Sequence, residues 1–96
     1  MAQAEYVKRE MVPSPLGNTT VAVTIGAVHN ESAAIPAYIV RLVATAACFV
    51  AFGTSPVATA SSMYLAPNVP ERFAFNNGDL ISALQAVGGG TLYITY

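Results

Sequence analysis

Tyr38-Ile39-Val40-Arg41-Leu42-Val43-Ala44-Thr45, followed at once by Ala46-Ala47-Cys48-Phe49-Val50-Ala51-Phe52, is the stretch on which the fold turns. In the first half Tyr38, Val40 and Leu42 alternate with Ile39, Arg41 and Val43, the period-two pattern of a strand. In the second half Cys48, Val50 and Phe52 alternate with Ala47, Phe49 and Ala51. Both of its faces are apolar, as expected of a central strand covered on both sides, or of one covered by a partner. No turn signal separates the halves, so they read as one long bent strand or as a tight hairpin. A membrane helix is the competing reading, because from Ala33 to Phe52 only Pro36, Arg41 and Thr45 are not hydrophobic. Arg41 near a bilayer midplane would cost about 2.5–3.5 kcal/mol, and Pro36 interrupts the start. The strand reading is therefore preferred, and no membrane association is expected.

The pattern extends outward from this centre. Upstream, Val21, Val23 and Ile25 alternate with Thr20, Ala22 and Thr24, which predicts a strand over 18–25 with one buried face. Gly26 ends it, and 27–37 reads as a loop. Downstream, Gly53-Thr54-Ser55-Pro56 is turn chemistry. Short strands are predicted at 62–65 and 72–75, separated by a loop forced by Pro67 and Pro70. Asn76-Asn77-Gly78-Asp79 is the strongest turn, since Asn-Gly readily takes positive φ. The segment 80–87 alternates again and is assigned as strand, although its propensities also fit a short helix. Gly88-Gly89-Gly90 reads as a flexible loop, and 91–96 closes the chain as a strand. Six to eight short strands with Gly, Pro and Asn turns predict an all-β fold, a small β-sandwich or jelly-roll-like barrel. Residues 1–17, stiffened by Pro13 and Pro15, are expected to form an extended N-terminal arm, and 18–96 a single β-sandwich domain.

Charge is scarce. Of 96 residues 54% are hydrophobic and only 9% charged, against about 25% in ordinary soluble domains. Glu5, Lys8, Arg9 and Glu10 lie in the arm, which leaves Glu31, Arg41, Glu71, Arg72 and Asp79 for the body. A folded chain of this mass exposes on the order of 5,000 Å², so much of the surface must be uncharged, and such patches mark contact surfaces. The net charge of −1, with no basic stripe, predicts no nucleic-acid binding. Met1–Glu5 lacks an apolar signal core, so no export signal is expected.

The inventory for catalysis is thin. Cys48 is the single cysteine and His29 the single histidine. Cys48 lies among apolar neighbours and reads as a buried, inert thiol. His29 with Glu31 falls short of the three or four ligands a zinc site needs. Glu71 and Arg72 read as a surface charge pair. The Gly88–Gly90 run is followed by no lysine or helix start, so it is no phosphate loop. The expectation is a non-enzymatic protein with no catalytic residues, no metal and no cofactor. Contact candidates are Tyr6, Val7, Met11, Val12 and Leu16 in the arm, with Met63, Tyr64, Val69 and Phe73 in the domain. Tyr64, Tyr93 and Tyr96 are the residues a sugar-binding site would draw on.

From Cys48 onward the chain resembles small structural proteins of tailed bacteriophage virions. The residues that carry this are Cys48-Phe49-Val50-Ala51-Phe52-Gly53, Pro56-Val57-Ala58, Ser62-Met63-Tyr64-Leu65, Val69-Pro70-Glu71-Arg72-Phe73, Asn77-Gly78-Asp79 and Gly90-Thr91-Leu92-Tyr93-Ile94-Thr95. The resemblance covers about half the chain and implies a head decoration (cement) or head-neck protein with a jelly-roll-like fold. Its partners would be the major capsid protein or other virion subunits, with homo-oligomer formation. It would lie on the capsid surface after synthesis in the host cytoplasm. A receptor- or glycan-binding tail or fibre module, or a head-tail connector component, is the alternative.

Overall fold

A computed structural model describes residues 19–96, so the expected arm and its candidates Tyr6, Val7, Met11, Val12 and Leu16 lie outside the described residues. Eight strands follow one another: β1 Thr20–Ile25, β2 Asn30–Glu31, β3 Ile39–Ala44, β4 Cys48–Gly53, β5 Met63–Leu65, β6 Glu71–Ala74, β7 Leu80–Gln85 and β8 Gly90–Thr95. They form two four-stranded sheets, ordered β1-β8-β3-β6 and β2-β7-β4-β5. All pairings between strands are antiparallel.

The order has a simple origin. β4 pairs with β5, β3 with β6, β2 with β7 and β1 with β8. The chain is thus one long hairpin folded back between β4 and β5, then rolled so that its pairs alternate between two sheets. The β3–β8 and β4–β7 ladders close the roll. This is the jelly-roll form of the β-sandwich.

Alternation along the strands sets the core. Val23 and Ile25 of β1, Val40, Leu42 and Ala44 of β3, and Leu92 and Ile94 of β8 face inward from one sheet. Cys48 and Val50 of β4, Leu65 of β5, and Ile81 and Ala83 of β7 face them from the other, all buried. Phe52 reaches across at one end, edge-to-face on Phe73 (5.6 Å between centroids) and on Phe75 (5.5 Å). Such pairs contribute about 0.5–1.5 kcal/mol each beyond their buried area.

Neither sequence reading of the β3–β4 junction, bent strand or hairpin, describes the outcome. β3 belongs to one sheet and β4 to the other, and Thr45-Ala46-Ala47 is a corner between them. Residues 33–52 therefore form two strands on opposite sides of a core, and among the described residues no helix is long and apolar enough to cross a membrane. The predicted 27–37 loop contains β2, whose two residues pair with Ser82 and Ala83. Two residues are too few to register as a periodic pattern. Glu71 and Arg72 are consecutive strand residues, so alternation sends them to opposite faces of the sheet rather than into a surface pair.

The glycine run is also tighter than a flexible loop. A methyl group on Gly90 would come within 2.6 Å of Thr45 Oγ1 and 2.9 Å of Ala46 Cβ, and one on Gly89 within 2.9 Å of the Ile25 carbonyl oxygen, whereas Gly88 faces open space. Gly90→Ala should lower stability by about 1–3 kcal/mol, the usual cost of overpacking, while Gly88→Ala should change it little. Urea denaturation midpoints of the two variants check the contrast.

Candidate interaction surface

The roll gathers four connections at one end of the sandwich. The Asn68 amide donates to the Ala44 carbonyl (2.7 Å), Ala86 to Ala47 (3.1 Å) and Gln85 to Gly26 (3.0 Å). These bonds bind segments 26–29, 45–47, 66–70 and 86–89 into one end surface, although they are spread over most of the described chain. None of these residues is Asp, Glu, Lys or Arg. Their apolar tips are open to solvent, with Val28 73% and Val87 89% exposed and Val69 also exposed. Asn68 holds a positive φ of 61° there, a conformation that asparagine tolerates better than most residues. The opposite end carries Asp79, Asn76 and Asn77, and Thr19 leads out of it.

The uncharged character continues onto the outer face of the second sheet. Tyr64, Phe49 and Leu84 lie side by side across β5, β4 and β7. Phe49 and Tyr64 meet edge-to-face at 5.9 Å. Tyr64 is 55% exposed, and Phe49 and Leu84 are half-buried. Strands β4, β5 and β7 contain no charged residue at all.

Further along this face the surface is sealed. Ser82 projects outward yet is fully buried, because the β4–β5 connection folds over it. Its Oγ accepts the Ala58 amide (3.0 Å) and lies 3.2 Å from His29 Nδ1. All three groups are satisfied when the Ser82 hydroxyl donates to Nδ1 and the His29 proton sits on Nε2. A sealed Oγ offers no path to a substrate, so this serine–histidine contact ties two loops to the sheet.

Cys48 points into the core from β4, while His29 approaches the outer face of the same sheet at Ser82. A Cys–His pair is thereby ruled out by the pleat. Burial pushes the Cys48 thiol up to about 11 from 9.0, away from reactive thiolate character. Among the described residues no group of three or more His, Cys, Asp and Glu is placed to hold a metal.

The domain's contact candidates divide. Met63, Tyr64 and Val69 are exposed. Phe73 turns inward and packs on Phe52 and the core. Val28 and Val87, the most exposed apolar tips, are absent from the sequence-derived set. Their isolated positions carry no periodic signal, but the lack of charge in all four loops was readable. The three tyrosines considered for sugar binding do not converge: Tyr64 lies on the outer face of one sheet, Tyr93 on that of the other, and Tyr96 packs against the core. Comparisons with protein-family models, with curated proteins and with solved structures find no match for this chain.

Ser82→Ala strands the Ala58 amide and His29 Nδ1, and should cost about 1–3 kcal/mol, with faster proteolysis within 54–62 as the local readout. Cys48 should resist a disulfide-exchange reagent in the native state and react at once in guanidinium. Because its folded value lies above the unfolded 9.0, its contribution to stability is complete below pH 9 and lost as pH rises toward 11, which denaturation midpoints across that window will follow.

Proposed function

We propose that the chain is a non-enzymatic structural protein of a tailed-phage virion, a capsid decoration protein that binds the shell through protein–protein contacts. The charge-free loop end carries the contact part of this reading. An exposed end tipped by Val28, Val69 and Val87, continuous with the Phe49–Tyr64–Leu84 row, is a surface suited to an apolar partner. The jelly roll is used by viral capsid domains, lectins and cupins alike, so the fold is compatible with a virion role without selecting it. The resemblance from Cys48 onward supplies the selection. A homo-oligomer on the capsid surface, with the major capsid protein as partner, follows from that resemblance. A glycan-binding module is disfavoured, since Tyr64, Tyr93 and Tyr96 share no groove. A head-tail connector component would use the same contacts and differ in copy number.

Virions of the encoding phage should carry the chain in many copies, and recombinant chain should rebind particles stripped of it. Val87→Glu and Val28→Glu place a charge at the loop tips and should cut rebinding at least tenfold. As exposed substitutions they should alter stability by no more than about 0.5 kcal/mol. Absence of the chain from virions, or unchanged rebinding by both variants, would sink the reading. Quantitative mass spectrometry of purified particles provides the count.

A further inference from the structure

The two cationic side chains of the described residues, Arg41 and Arg72, stand directly opposite each other on β3 and β6. They are far apart in sequence and are brought together only by the roll. The geometry is close. The Phe75 amide donates to the Tyr38 carbonyl at 2.8 Å, which makes that opposed pair a hydrogen-bonded one. Bonded and non-bonded pairs alternate along an antiparallel ladder, so Arg41–Arg72, three positions on, is a non-bonded pair. Its Cα atoms are then about 4.5 Å apart, with side chains closer than in a bonded pair. Like charges so placed repel and destabilise the ladder.

The rest of the row offers no counter-charge. Across β8 and β1 it continues as Thr95 and Thr20, whose hydroxyls engage each other at 3.1 Å. Glu71 faces the other way. On either side the same outer face presents Ile39, 54% exposed, and Tyr93, 40% exposed. Arginine beside exposed tyrosine and aliphatic groups is the composition of a protein interface. Nucleic acid demands many cations tracking a backbone, and two do not suffice.

We propose that Arg41 and Arg72 together form a receptor for a carboxylate presented by a neighbouring protein chain. Both guanidinium forks stem from directly opposed positions on one face of the sheet, within reach of a single planar carboxylate, whose charge offsets the repulsion between them. That the partner is a protein rests on the subunit-contact reading. The face concerned is the outer side of the first sheet, distinct from the charge-free loop end, so each copy would offer two chemically different contacts.

The test uses the purified full chain and no particle, so its failure is separate from failure of the virion reading. A double-mutant cycle with Arg41→Gln, Arg72→Gln and both together should give a repulsive coupling in denaturation midpoints at low salt, fading as salt is added. An attractive or absent coupling would overturn the proposal, because it would mean that the pair is already satisfied within the chain. A hexaglutamate peptide should shift the Nε–H resonances of both arginines in the wild type, and hexaglutamine should not. Affinity for hexaglutamate should fall at least fivefold in the double variant. Equal affinity there, or tighter binding of a short single-stranded oligonucleotide than of hexaglutamate, would likewise overturn it.

Discussion

The corner Thr45-Ala46-Ala47 is the constraint on which the rest of the sandwich depends. It passes the chain from one sheet to the other within three residues, so β3 and β4 are divided between opposite walls of the core. Three neighbouring segments are fastened at it or beside it. The Thr45 amide donates to the Thr91 carbonyl at 2.9 Å, and the Thr91 amide returns the bond to Thr45 Oγ1 at 2.9 Å. Gly90 must be bare for β8 to begin beside Ala46. Ala47 receives the Ala86 amide as β7 ends, and Ala44 receives that of Asn68 as the β5–β6 connection passes. Once the corner is made, β8 pairs with β3 on one wall and β7 with β4 on the other, and the roll is closed.

This explains what could be read from the sequence and what could not. Strand identity is a local property. Val21, Val23 and Ile25, or Val40 and Leu42, declare their inward face by alternation alone, and the all-β class follows. The corner is different, because Thr-Ala-Ala has no turn chemistry. What bends it is the reciprocal bonding with Thr91, which lies 46 positions away. β2 carries no sequence signal for a related reason, since its two residues are strand only because β7 lies beside them. Gly88-Gly89-Gly90 read as a loop by composition, whereas the need for a bare backbone at Gly90 comes from Thr45 and Ala46.

The surface has the same division. Scarcity of charge is a property of composition and points to contact by itself. Its arrangement is a property of the roll. Of the contact candidates in the domain, Met63, Tyr64 and Val69 are exposed, whereas Phe73 follows its strand inward to Phe52. Val28 and Val87 matter because four charge-free loops share one end. Arg41 and Arg72 matter because β6 lies against β3. In sequence each is an ordinary single residue, and together they place the described cations at one point on a sheet otherwise lined with threonine, tyrosine and aliphatic groups.

The central claim is that the charge-free loop end meets another protein. Electron microscopy of the native particle, at a resolution that traces side chains, tests it most directly. The account predicts density in which Val28, Val69 and Val87 of each copy are buried against a capsid subunit. Density with that end pointing into solvent, and the chain held by other surfaces, would contradict it.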